Sequence, residues 1–313
     1  MTENRLLLVL LTVAIAASAW TLTRDETQPL QTVTLSDRTL AGVDRIVYES
    51  STSTVTFLRK LDDFGAYWWV ETEGKTPRNF VASSDGEALI ERLLPFQAAR
   101  SLGAELNDRL DEIELDPPAA RLVLEGDSGG EAFMVGSQTQ NNRGNRYVMR
   151  KGGSEVFLVD HALLRDLASP YRFRLRTFRT AERESVARAS VVMGDVEFEA
   201  IQQNRQRPVD AFWASSRDPG TRADAVHEML EFVERLGPSA PLTPPPSPAD
   251  GPSLLTVEWL ADDDDGLGRL EIRSESDGDV IARSSDTRTW VSVSPSSGTE
   301  LKRLIEDAKA SVR

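Results

Sequence analysis

The sequence predicts an α+β protein: two tandem related modules of antiparallel sheet with covering helices, behind one N-terminal transmembrane helix. Three observations carry that expectation. First, the chain repeats itself. Arg38-Thr39-Leu40, then Val43, Arg45 and Ile46-Val47-Tyr48, is echoed by Arg176-Thr177-Phe178, then Val186, Arg188 and Ser190-Val191-Val192. Each opening leads to a Trp-bearing strand (Tyr67-Trp68-Trp69-Val70; Ala211-Phe212-Trp213-Ala214), an amphipathic helix, several strands and a closing helix. An offset of about 140 residues is too long for a solenoid period and fits a duplicated domain. Second, apolar residues alternate with polar ones over short runs, the pattern of half-buried strands. Third, Arg5 precedes a nearly unbroken apolar run, Leu6 to Leu22, which Thr23-Arg24-Asp25-Glu26 ends sharply.

That run is at the short limit for crossing a bilayer and somewhat long for a signal-peptide core. Ala17-Ser18-Ala19 offers a signal-peptidase site, so an uncleaved anchor and a cleaved leader both remain open. Either exports the rest of the chain, since Arg5 holds the N-terminus in the cytoplasm. The expected organisation is an anchor over residues 1–24, a polar tether over 25–36, module one over 37–175 and module two over 176–313.

In module one, Arg45–Glu49, Thr54–Leu58 and Tyr67–Glu71 read as strands, the last two joined by a turn at Asp62-Asp63-Phe64-Gly65. Ser84-Asp85 caps a helix whose Ala88, Leu89, Arg92, Leu93 and Phe96 follow helical spacing, with Glu87 in the first turn. An irregular stretch runs to Leu115-Asp116-Pro117-Pro118. After it come strands Arg121–Glu125, Ala132–Val135, Asn145–Arg150 and Glu155–Val159, then a helix from Asp160 to Leu167. Module two gives strands at Ala189–Met193, Val196–Gln202 and Ala211–Ser215, and a helix from about Thr221 to Leu236 with Val226, Leu230, Val233 and Leu236 on one face. The stretch from Gly237 to Pro252 holds seven prolines and reads as a loop inside the module. Strands at Leu254–Leu260, Leu267–Ser274, Val280–Ser284 and Thr289–Val293 follow, and a helix from Gly298 to Val312 closes the chain.

A net charge of −14 argues against a nucleic-acid partner, because a phosphate backbone would be repelled. With no cysteine, disulfides, thiolate nucleophiles, Cys-ligated metals and lipid attachment at a cysteine are excluded. No P-loop is present, so any ATPase is a separate chain. Gly126-Asp127-Ser128-Gly129-Gly130 resembles the string around the nucleophile of trypsin-like proteases. In that fold the His base and Asp precede the serine, whereas His161 and His227 both follow it here, so the string reads as a hairpin turn. Asp262-Asp263-Asp264-Asp265-Gly266 fails the EF-hand spacing, since Gly266 at position 6 puts Ala261 first and Ile272 twelfth. It reads as a solvated loop with at most weak divalent-ion binding. Neither histidine has metal-site spacing. Trp68, Trp69 and Trp213 read as core packing. Tyr171-Arg172-Phe173-Arg174-Leu175-Arg176, with Arg179, alternates in the manner of a strand with one basic face. Arg172, Arg174, Arg176 and Arg179 either pair with nearby carboxylates or form a docking stripe for anionic headgroups or an acidic partner.

Several of these residues also resemble a bacterial envelope family, the domain of unknown function 4340. They are the Trp at position 69, the helix after Asp85, Ile113-Glu114-Leu115-Asp116-Pro117-Pro118 against the family's Tyr-Gly-Leu-Asp-x-Pro, Gly136, Tyr147-Val148 and the strand Val156-Phe157-Leu158-Val159. Glu114 stands where the family usually has Gly. The resemblance implies a companion of gliding-motility-type ABC transporters, encoded beside a permease and an extracytoplasmic auxiliary protein, with no catalytic residues and no cofactor. The expected function is a non-enzymatic accessory or scaffold subunit, anchored in the cytoplasmic membrane with its globular part in the periplasm. Its expected partner is a permease or auxiliary protein. The alternative is a periplasmic binding module for an envelope polymer or lipid, which a concave apolar groove between the modules would favour.

Overall fold

The computed structural model describes residues 32–139, 144–179, 181–241, 251–275 and 278–313. The expected anchor and its cleavage site lie outside them, as does most of the tether. Among the described residues no helix is long and apolar enough to cross a membrane.

In chain order the first half gives β1 (Val33–Ser36), β2 (Arg45–Ser50), β3 (Thr54–Asp62), β4 (Gly65–Glu73), β5 (Arg78–Val81), α1 (Ser84–Leu93), β6 (Phe96–Ala98), β7 (Arg100–Gly103), β8 (Ala120–Gly126), β9 (Gly129–Gln138), β10 (Asn145–Arg150), β11 (Val156–Asp160) and α2 (His161–Ala168). The second half gives β12 (Arg188–Met193), β13 (Val196–Gln203), β14 (Phe212–Ser215), β15 (Asp218–Arg222), α3 (Asp224–Arg235), β16 (Ser253–Leu260), β17 (Gly266–Ser274), β18 (Val280–Ser284), β19 (Val291–Ser292) and α4 (Pro295–Val312).

One antiparallel sheet runs β5-β4-β3-β2-β8-β9-β10-β11-β7 and the other β15-β14-β13-β12-β16-β17-β18-β19. Eight strands therefore correspond one for one, with a helix after the fourth and another after the eighth. Matching backbone bonds fix the register of the repeat. Asp44 donates its N–H to Glu125 O and accepts from Arg59; Ala187 donates to Leu260 O and accepts from Gln202. Ile46 and Tyr48 thus match Ala189 and Val191, one residue away from the pairing suggested by the triplet echo. Trp68 and Trp213 are equivalent and buried, and each carbonyl accepts an N–H just before the following helix, from Ala82 and Ala223. The closing helices start alike. Asp160 caps α2 by accepting from Ala162 N, and Ser294 caps α4 by accepting from Ser297 N.

Each sheet carries its own core. In the first, Ile46, Tyr48, Phe57 and Leu122 pack under Leu89, Ile90, Leu93, Leu163, Leu164 and Leu167 of the two helices. In the second, Val191, Trp213, Val257 and Leu270 pack under Val226, Leu230, Leu301 and Ile305. Burying such side chains is the main favourable term for each unit.

Four readings need correction. The end of the expected tether is strand β1, paired with β6 and burying Leu35, because β6 offers it a ladder. Phe96 belongs to β6 and not to the helix, which ends at Leu93 just before Pro95. The cap of α1 is Ser83, without a side-chain bond, while Asp85 and Glu87 do lie in its first turn. Finally, the Arg-rich run is no strand, since Pro170–Phe173 is a turn of 3-10 helix.

Candidate functional site

The two sheets meet near their edges. β5 is an edge strand of the first sheet. On the second, residues after α3 cover β19: Ser239 donates to Ser292 O at 3.1 Å, and Ser292 donates to Ala240 O at 2.9 Å. This short pairing is topologically what β7 does for β11 in module one. Between β5 and that covering segment lies a cleft of about 390 Å³. Trp69, Arg78, Phe80, Tyr171 and Arg174 line one side, and Pro238, Ala240, Pro241 and Val291 the other. Next to the cleft wall the modules are also joined by Arg288, whose Nη1 donates to Asp62 at 2.6 Å and whose guanidinium lies over Phe64 and Tyr67.

Strand alternation sets the cleft chemistry. Trp68 points into the core, so its neighbour Trp69 must face the other way, and it is half-buried in the cleft wall. Its Nε1 donates to Glu71 at 3.0 Å, and Lys60 lies 4.7 Å from its ring centroid. Reading both tryptophans as core was therefore wrong for Trp69. Tyr171 holds Phe80 edge-on at 5.8 Å and carries two cations on its ring, Arg78 at 3.8 Å and Arg174 at 4.2 Å. Neither arginine has a carboxylate partner among the described residues. In a chain of net charge −14 the two make a small basic patch, anchored where Arg174 Nη1 donates to Tyr171 O at 3.3 Å.

Of the expected basic stripe, Arg174 alone lines the cleft. Arg172 is paired with the buried Asp166. Arg176 is exposed. Arg179 is buried against Glu234 at 3.5 Å, under Trp259, where burial pushes its pKa down and that of Glu234 up. The four arginines do not share one face.

Ser128 sits in the exposed turn between β8 and β9. Two glycines of its string have separate reasons: a Cβ on Gly126 would overlap the carbonyl of Gly42, and Gly129 turns with a φ of 96°. His227 is buried, and its Nδ1 accepts the backbone N–H of Trp213 at 3.2 Å, tying α3 to β14. Burial, helped by Arg222, holds its pKa below the ordinary histidine value. His161 opens α2, donating its backbone N–H to Gly144 O. The aspartate run is a loop whose Asp262 and Asp264 pair with Arg205 and Arg188. No cluster of three or more His, Asp or Glu is placed to hold a metal among the described residues.

A comparison with family profiles matches residues 68–248 to the domain of unknown function DUF4340. The chain belongs to this family. Among curated proteins nothing matches it, and nothing matches among solved structures. The DUF4340 match starts at Trp68 and includes all of the cleft lining except Thr287, Thr289 and Val291. It also includes the segment that suggested the family. Ile113–Pro117 folds onto β9, where Ser137 donates to Ile113 O at 2.8 Å, and Leu115 buries itself with Met149 and Val156. Gly136 permits that approach, because a Cβ there would overlap the Ile113 carbonyl. Glu114 has a φ of 55°, in the left-handed region that glycine adopts freely. The motif is a structural clasp on module one.

Proposed function

We propose that this DUF4340 protein is a non-enzymatic accessory or scaffold subunit of an envelope ABC-transporter system, anchored by Leu6–Leu22 with both modules outside the cytoplasmic membrane. The cleft between the modules is its contact site. The observation that carries this reading is the cleft itself, where two arginines without a carboxylate partner and three aromatic rings line the junction of the two sheets. Ligand sites favour such junctions. The mechanism is contact: the anchor brings the modules beside a permease or auxiliary protein, and the cleft holds it. The same cleft supports the second reading, a binding module for an envelope polymer or lipid, because it is concave and partly apolar.

A pull-down of the full-length protein from native membranes in mild detergent, with mass spectrometry of bait and prey, separates the two. Recovery of a permease or ATPase, with the Leu6–Leu22 peptide still on the bait, is the expected result. Soluble protein beginning near Trp20, without transporter partners, contradicts it.

A further inference from the structure

We infer that the cleft takes an acidic segment of a partner protein in extended form, added as a strand to the open edge of β5, with its carboxylates on Arg78 and Arg174. The inference deepens the accessory-subunit reading and relies on it only for the source of the segment.

The backbone supplies the first part. Arg78 bonds toward β4 through the Thr72 hydroxyl (N···Oγ1 2.9 Å), and Ala82, just past the strand, donates to Trp68 O at 2.9 Å. Alternate residues of β5 therefore turn their peptide groups inward, and Asn79, between Arg78 and Phe80, turns its N–H and C=O outward. The far end of this edge is closed, since Ser83 donates to Phe173 O at 2.7 Å and Ala82 pairs with Arg174. What stays open is the stretch around Asn79, facing the cleft. Open edges invite strand addition, and proteins that recognise extended peptides use them.

The side chains supply the second part. Arg78 and Phe80 lie on one face of β5, and both touch Tyr171. Arg174 touches the same ring, so the two guanidinium carbons are within about 8 Å of each other. An added strand would place every second side chain on that face, within reach of both cations. Carboxylates are the matching groups, because arginine holds them in a fork of two hydrogen bonds.

The other occupants fit less well. A saccharide needs bare aromatic faces, yet Tyr171 already carries Arg78 and Arg174, and Lys60 covers Trp69. A lipid chain would leave the Asn79 peptide group without a partner in a dry cleft.

The test is a peptide-display selection on the full-length protein in detergent, followed by affinity measurements on the enriched peptides. The expected result is peptides with acidic residues two positions apart. Arg78→Glu or Arg174→Glu weakens their binding at least about tenfold, and Arg78→Lys does so less. N-methylation of alternate peptide bonds abolishes binding, and methylation of the intervening bonds does not. Unchanged thermal unfolding of the variants shows that the fold survives. Enriched peptides without acids, indifference to charge reversal, or indifference to N-methylation would each overturn the inference, as would anionic vesicles or envelope saccharide binding the cleft while no peptide is enriched. If the double variant Arg78→Glu/Arg174→Glu still recovers the transporter partner as the wild type does, the accessory reading stands and this inference fails. If peptides are enriched as described but no transporter partner is ever recovered, the reverse holds.

Discussion

The same connection does different work in the two modules. In each, the segment between the first helix and the fifth strand returns to cover the sheet's outer edge. Module one does this with β7 on β11, then folds Ile113–Pro117 back onto Gly136 and seals a satellite core of Ile113, Leu115, Met149 and Val156. Module two does it with Ser239–Pro241 on β19, from a proline-rich segment that leaves no such clasp among the described residues. The first connection closes a module on itself. The second leaves a proline-bearing wall that faces β5 of the other module and makes the cleft. One scaffold thus provides an internal brace in one copy and one wall of the cleft between the modules in the other.

The largest effects should test whether the copies are equivalent at their cores. Trp68→Ala and Trp213→Ala each should cost about 3–5 kcal/mol in denaturant unfolding. A loss at Trp68 well below about 1 kcal/mol would break the equivalence. Next comes the clasp. Gly136→Ala should cost about 1–3 kcal/mol by pushing Ile113 off β9, whereas Arg273→Ala, at the matching place on β17, should cost less than about 1 kcal/mol. Equal losses would mean that Gly136 holds no clasp.

The first helices give a contrast in pH dependence. His227 and Glu87 occupy the same helical position, each donating its N–H to the residue capping its helix, Ala223 or Ser83. Burial holds His227 below its ordinary pKa, whereas partial desolvation on the helix surface, with Glu91 alongside, raises that of the more exposed Glu87. The unfolded chain takes up the histidine proton near pH 6.5, before the folded protein does, so stability should fall as pH drops below that point. Glu87 acts in the opposite sense, its contribution declining as pH rises past about 4.5. His227→Gln should flatten the loss near pH 6.5, and Glu87→Gln should leave it in place. Urea unfolding from pH 5 to 8 reads both. The smallest effect is a gain: Glu114→Gly should stabilise module one by about 0.5–1 kcal/mol, because it relieves a left-handed residue. A loss of stability there would mean that the Glu114 side chain holds something that glycine cannot.

Much of this architecture was legible in the sequence where one local signal sufficed. Alternation gave most of the long strands, and Gly-Asp-Ser-Gly-Gly and the four aspartates proved to be the turn and loop that their composition suggests. Three of the short or exposed strands carry no local signal. β15 is exposed at every residue, so it has no buried period to detect. β6 and β7 are only three and four residues long. Phe96 follows Leu93 at helical spacing, and the stop signal there is Pro95. The placement of Trp69 was available from the strand period itself, since adjacent residues cannot both face one core. The cleft could not be read at all, because its walls come from four stretches of chain, around residues 69–81, 171–175, 238–241 and 287–291, which only the fold brings together.

The most direct test compares the two matching edge strands. A photo-crosslinking amino acid is placed at Asn79 on β5 or at Thr221 on β15, in the full-length protein in its native membrane, and adducts are identified by mass spectrometry. The account predicts a discrete adduct with a transporter component at Asn79 and none at Thr221. Adducts of equal yield at both positions, or at Thr221 alone, would contradict it.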